Sequence, residues 1–211
     1  MSQASSLCAI ILAAGESSRM GSDKALLSWP PAAANPPVPN QTFLSAAIES
    51  LNPFSEMVIV VVGANEQAVA PVIYASGASL VRNPDPARGQ FSSLRVGLQE
   101  VLNHGRDAAI VTLVDRPPAN SATLQSLASA FIARTENIWA IVPEHNGKHG
   151  HPYWIAREMI EAFLRAPATA TARDVEHQNQ PHIEYVAVND PFVTLNVNTQ
   201  QDYLALPQVV R

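Results

Sequence analysis

Cysteine is almost missing from this 211-residue chain. Cys8 is the single example, which rules out a disulfide within one chain and any cysteine-rich zinc cluster. It stands in an apolar run, where the expectation is a small buried hydrophobe rather than a reactive thiol. Long apolar runs are also missing. None approaches the roughly 20 residues of a membrane-spanning helix, although 47% of the residues are hydrophobic and supply ample core material. Positive charge is in deficit, 13 Lys and Arg against 18 Asp and Glu. That argues against a nucleic-acid partner, because binding to a phosphate backbone normally uses a basic face. Met1 to Ser6 show no basic region and no cleavage-type pattern, so the expected location is cytoplasmic, with no membrane partner. Two glycine fingerprints are lacking as well. No G-x-G-x-x-G follows the first apolar run, which disfavours a dinucleotide enzyme. Ser22 and Asp23 separate Gly21 from Lys24, whereas a P-loop places its lysine directly after the second glycine.

What is present is an alternation of β-type apolar runs with helical stretches. Strands are predicted at about 7–13, 57–62, 79–81, 108–113, 139–143 and 183–186, and helices at 42–51, 67–74, 92–104, 121–134 and 157–164. This is the pattern of an α/β protein with a doubly wound, mostly parallel sheet in three α/β/α layers. The length suits one domain over residues 1–211. Residues 30–39 hold five prolines in ten positions and predict a loop. The polar stretch 166–180 reads either as a short helix or as a flap.

Chemistry gathers first at Leu12-Ala13-Ala14-Gly15-Glu16-Ser17-Ser18-Arg19-Met20-Gly21-Ser22-Asp23-Lys24. Small residues after a strand let backbone approach a ligand, and consecutive N–H groups in such a turn form a concavity for anions. Arg19 and Lys24 add two cations, one a planar fork and one a point charge, so the ligand class implied is a polyphosphate. Asp115 ends the run Ile110-Val111-Thr112-Leu113-Val114 and so projects at the edge of the sheet where ligands bind. It suits a magnesium ion, which takes hard oxygen ligands and often only one or two from protein. In Asn196-Val197-Asn198, strand alternation is expected to put both amides on one face.

The spaced signature from Leu12 to Lys24, with Arg19, Met20 and Gly21 in place, resembles that of nucleotidyltransferases. Asn83-Pro84 with Gly89 and Ser92-Ser93-Leu94, then Leu113-Val114-Asp115-Arg116-Pro117, Gly150-His151-Pro152 and Leu195-Asn196-Val197-Asn198-Thr199 follow in order. Together they cover nearly the whole chain, and the chain resembles the MobA-like NTP transferases, with the molybdenum cofactor cytidylyltransferases nearest among them. The resemblance implies a Rossmann-like nucleotidyltransferase fold. It implies Mg²⁺-dependent transfer of a nucleoside monophosphate, CMP from CTP foremost, to the phosphate of a molybdopterin-type acceptor, with release of pyrophosphate.

By the same resemblance, Leu12, Ala13, Ala14, Gly15, Ser17, Ser18, Arg19, Met20, Gly21 and Lys24 hold the nucleotide phosphates. Asn83, Gly89, Ser92 and Ser93 border the base and ribose, unless the two serines only cap the following helix. Arg19, Lys24 and Asp115 are the implied catalytic residues, and Asp115 and Asn198 the implied metal ligands. Lys24, His151 and Asn196 face the acceptor, with His151 alternatively a structural residue of a constrained turn. Arg173 is a further acceptor candidate. The amide pair departs from the aspartates many cytidylyltransferases carry and is closer to the guanylyltransferase branch, which keeps GTP or another acceptor open. A binding protein that passes molybdenum cofactor to an oxidoreductase is a second alternative, disfavoured by the retention of Arg19, Lys24 and Asp115. A glycosyltransferase is expected to carry Asp-x-Asp where Asp115-Arg116-Pro117 stands.

Overall fold

The computed structural model describes residues 6–15, 23–31 and 41–206. β1 (Leu7–Leu12), β2 (Met57–Val62), β3 (Ser79–Arg82) and β4 (Ala108–Leu113) pair in parallel, side by side in the order β3-β2-β1-β4. β7 (Tyr153–Ala156) then runs antiparallel between β4 and β5 (Ala140–His145). β6 (Lys148–His149) pairs antiparallel with the end of β5, and β8 (Ile183–Ala187) pairs parallel with β5. The helices are α1 (Phe43–Leu51), α2 (Glu66–Ala75), α3 (Gln90–Asn103), α4 (Ser121–Ala133), α5 (Arg157–Arg165), α6 (Ala172–Gln178) and α7 (Gln200–Ala205).

The near-continuous apolar runs of β1, β2 and β4 follow from burial on both faces of the sheet. Alternate residues of β1 serve opposite layers. Ala9 and Ile11 pack with Ile48 of α1, Ile73 of α2 and Leu127 and Phe131 of α4. Cys8, Ile10 and Leu12 pack with Leu94 and Leu98 of α3 and Phe163 of α5. Burial pushes the Cys8 thiol up to about 11, so it behaves as a core hydrophobe. The doubly wound, mostly parallel architecture is as the sequence predicts. Among the described residues, no helix is long and apolar enough to cross a membrane.

Two features differ from expectation. Tyr153-Trp154-Ile155-Ala156 forms the buried antiparallel strand β7 rather than a connection to α5. Residues 195–198 form no strand: they run as irregular chain into α7.

The register aligns Leu12 of β1 with Leu113 of β4, so Ala13–Gly15 and Asp115 leave the sheet from adjacent strands. The chain turns outward in opposite directions from this pair, toward β2 and toward β7, the switch point at which open α/β sheets bind ligands. Segments distant in sequence also pack together. Trp29 packs edge-on against Phe43 and Phe192, and Phe43 contacts Tyr203 of α7. The Tyr203 hydroxyl donates to the Ser28 carbonyl at 3.0 Å. An antiparallel bridge joins Ser28 and Thr42, which flank the proline-rich stretch; its residues 32–40, where a loop is expected, lie outside the described ones.

Candidate active site

The elbow after β1 is held at both ends by one side chain that the sequence motifs do not include. Asn65, just before α2, donates through Nδ2 to the Ala13 carbonyl at 2.9 Å and to Asp23 Oδ2 at 2.7 Å. Its Oδ1 accepts from Gly63 N at 3.1 Å. Asp23 Oδ1 in turn accepts from Ala25 N at 3.0 Å, capping the short helical turn Lys24–Leu26. Lys24 therefore starts a turn whose orientation is fixed to the end of β1. Ser17, Ser18, Arg19, Met20 and Gly21 lie outside the described residues.

The Lys24 ammonium meets two residues expected as metal ligands. It donates to Asn198 Oδ1 at 3.1 Å and lies 3.6 Å from Asp115 Oδ2. The side chains of Lys24 and Asp115 are 14% and 27% exposed, so the pair sits at a rim, with one side toward a cavity of about 240 Å³. Ala14, Gly15, Ser93 and Gly89 line the same cavity. Asp115 Oδ1 is buried and has no hydrogen-bond partner among the described residues.

Asp115 and Asn198 are held to one another by backbone. Val197 N donates to the Asp115 carbonyl at 2.8 Å. Asp202 of α7 accepts through Oδ2 from the N–H groups of Asn198 and Thr199, at 2.9 and 2.8 Å. These bonds hold the Asp202 carboxyl below its ordinary pKa. The fully buried Asp190 accepts from Asn120 N at 2.8 Å and Phe192 N at 3.1 Å, which ties the stretch after Asp115 to the stretch before Asn198.

Arg116 and the Gly150-His151-Pro152 unit brace this junction from behind. Arg116 Nη1 and His151 N both donate to the Val193 carbonyl at 2.8 Å. A Cβ at residue 150 would overlap that carbonyl, so the chain passes there only as glycine. The His151 ring tilts against Tyr153, 4.9 Å between centroids. Its pKa falls to about 3 through burial first and the Arg116 charge second. His151 is thus held neutral behind Asp115, outside the residues that line the cavity at Lys24. Asn196 is exposed and is not among the residues that line that cavity.

Asn83 and the two serines form a turn of their own. Asn83 Nδ2 donates to Ser92 Oγ and Ser93 Oγ at 2.9 and 3.0 Å, and its Oδ1 accepts from Asp85 N at 3.0 Å. Ser92 Oγ also donates to the Gly89 carbonyl at 2.7 Å. The Asn83 amide is therefore engaged within the protein, where it shapes the turn. Gly89 sits at φ 90°, a conformation glycine supplies without a Cβ penalty, and α3 begins immediately after it. Beyond Gly89 the first cavity opens into a second of about 730 Å³, with Leu12, Gly89, Gln90 and Leu113 shared between them.

The structure thus joins Leu12, Ala14, Gly15, Lys24, Gly89, Ser93 and Asp115 around one cavity, with Asn198 bonded to Lys24. Asn65 and Asp190 are the additions, each acting over a long sequence separation without a local motif, while Arg116, already within the motif around Asp115, gains a role through its bond to the Val193 carbonyl. The donor set suits a hard divalent cation. The Asp115 carboxylate, through Oδ2, and the Asn198 amide oxygen both lie near the Lys24 ammonium, and the second carboxylate oxygen, Oδ1, is buried without a partner among the described residues. Among the described residues there is no cluster of three or more His, Cys, Asp or Glu for a metal, so such an ion would take its remaining ligands from substrate and water.

A switch-point cavity with a small-residue elbow and a Lys–Asp–Asn cluster defines an α/β nucleotidyltransferase. Residues 9–183 match the MobA-like NTP transferase domain, and the chain belongs to that family. It is 24% identical over 201 residues to the molybdenum cofactor cytidylyltransferase of Escherichia coli K12, covering 95% of each chain. It is 33% identical over 125 residues to a probable molybdenum cofactor guanylyltransferase of Rhodopirellula baltica, covering 59% of this chain and 56% of the relative. Among solved structures, the Rv0371c protein of Mycobacterium tuberculosis H37Rv superposes with a TM-score of 0.78 at 27% identity, covering 98% of this chain and 99% of that one.

Proposed function

We propose that this enzyme transfers CMP from CTP to the phosphate of a molybdopterin-type acceptor in a Mg²⁺-dependent reaction that releases pyrophosphate. The observation that carries the reading is the meeting of Lys24, Asp115 and Asn198 at the mouth of the elbow cavity. An acceptor phosphate oxygen attacks the α-phosphorus of the nucleotide, a new P–O bond forms, and the bond to the β-phosphate oxygen breaks in line. Lys24 brings positive charge to the α-phosphate and the entering phosphate, where negative charge accumulates in the transition state. The backbone of Ala14 and Gly15 lets the polyphosphate lie close to the sheet edge. Asp115 and Asn198 would hold the magnesium ion, which supplies charge neutralisation to the transferring group. Arg19 is assigned to the leaving β- and γ-phosphates and Asn196 to the acceptor side, while the bond of His151 to the Val193 carbonyl and its neutral ring favour the structural role in its turn.

The guanylyltransferase reading has its own support in the Asn196-Val197-Asn198 amides and in the guanylyltransferase relative. Pyrophosphate release measured with each of the four ribonucleoside triphosphates, with and without molybdopterin and Mg²⁺, separates the two. The expected result is release from CTP that needs both additions. Release from GTP alone among the four reassigns the donor, and release that survives EDTA overturns the metal assignment.

A further inference from the structure

The larger cavity beyond Gly89 holds a feature that phosphate transfer does not use. Its walls include Phe91 at the start of α3, Leu113 at the end of β4 and the buried Tyr153 of β7. Arg88 and Arg173, both exposed, stand at its borders. Glu176 of α6 also lines it, half-buried. No hydrogen bond or ion pair within the protein engages the Glu176 side chain among the described residues. Its carboxyl is raised above the ordinary range by burial, an effect that the Arg173 charge opposes, and Glu176 helps raise the neighbouring Tyr153 phenol. A carboxylate drawn partly out of water with no donor of its own costs free energy unless a ligand supplies one.

The shape and polarity of the chamber select the ligand class. Two apolar ring walls suit a flat heteroaromatic head. A carboxylate on the same lining can accept two parallel N–H bonds, the geometry offered by a cyclic amidine or guanidine edge. Cytosine lacks that edge, because its ring nitrogen beside the amino group is an acceptor and would face the carboxylate oxygen. We propose that Glu176 is a specificity-determining residue that reads the 2-amino-4-oxopyrimidine edge of a ring bound in this chamber. The proposal rests on the nucleotidyltransferase reading and adds the source of ring selectivity. Two rings carry this edge: a pterin, which belongs to the acceptor, and guanine, which belongs to the donor. Since the chamber adjoins the Lys24 cavity through Leu12, Gly89, Gln90 and Leu113, either ring reaches it with its phosphate toward Lys24.

Equilibrium binding to the full chain tests this without turnover. Pterin is titrated against lumazine, which replaces the 2-amino group with an oxo group, and GTP against ITP, which lacks that group. The wild-type protein is expected to favour pterin over lumazine by roughly 10- to 100-fold, the size of a charge-assisted hydrogen bond. In Glu176→Gln the preference shrinks to within a few-fold while lumazine still binds, a pattern that unfolding cannot produce. If the Glu176-dependent preference appears for GTP over ITP instead, the proposal stands and the ring is the donor base. Equal preferences in the wild type and Glu176→Gln in both pairs overturn it. Pyrophosphate release by the wild type, measured separately, reports on the transfer reading, so each can fail alone.

Discussion

Lys24 has two roles, both removed by a single substitution. It balances Asp115 in the free protein, at 3.6 Å, and in the proposed reaction it meets the phosphates. Lys24→Ala is expected to lower kcat by about 10²- to 10³-fold, the usual loss on removing one preorganised donor from a developing charge. Undiminished pyrophosphate release by this variant would remove Lys24 from the mechanism. Asn65 acts at one remove, through the elbow ends. Asn65→Asp keeps the volume but turns the donor that serves Ala13 and Asp23 into an acceptor facing two acceptors. The expected cost is about 1–3 kcal/mol of stability, with nucleotide binding weakened more than kcat, read by urea unfolding and by steady-state kinetics. If KM for the nucleotide holds while kcat collapses, Asn65 acts on the chemistry and not on the loop. Lys24 and Asp115 were legible in the sequence because each closes a local pattern, a small-residue turn and the end of an apolar strand. Asn65 was not, since its bonds span 52 and 42 residues and nothing in its own neighbourhood announces them.

Among the elements, those whose environment is uniform were the ones the sequence disclosed. β2 and β4 are continuous apolar runs because helices cover both faces, and their bounds are met at both ends by the prediction. β7 escaped because four buried apolar residues carry no period, and only pairing with β4 and β5 decides that they are extended. The helices α6 and α7 are short, yet each starts with a reciprocal cap, Thr171 with Asp174 and Thr199 with Asp202. That signal was in the sequence, masked by polar composition. The turn between β6 and β7 is where Gly150 lets Arg116 and His151 share the Val193 carbonyl. Gly150→Ala forces backbone against backbone, and a loss of about 1–3 kcal/mol is expected from overpacking. Displacement of Val193 carries on to Val197 and Asn198, so kcat should fall along with the urea midpoint. A variant as stable and active as the wild type would show that the junction yields without disturbing Asn198.

Taken as one molecule, the protein assembles its site from both ends and the middle of the chain, since Lys24 and Asn198 are 174 residues apart and Asp115 lies between. Such a site exists only while the whole fold does, and acid is the condition under which the fold should weaken in a traceable way. His151 is held neutral in the folded protein, its pKa pushed down to about 3 by burial and by the Arg116 guanidinium. The unfolded chain frees it to titrate at its ordinary value of about 6.5. Between these values the unfolded state binds the extra proton, so stability is intact above pH ~6.5, declines as the pH falls, and levels off near pH 3. The part of the residue that reaches the surface limits the loss to up to about 3 kcal/mol. Asp202 and Asp174, whose carboxyls are lowered by hydrogen bonds at their caps, add a loss at more acidic pH. They remain in a His151→Gln variant, which cannot take up the imidazole proton, so the comparison isolates the ring. Urea midpoints measured from pH 7 to pH 4 should fall more steeply for the wild type than for His151→Gln. Parallel profiles would mean that His151 protonates freely in the folded protein, which would return it to the solvent side and strengthen its assignment to the acceptor.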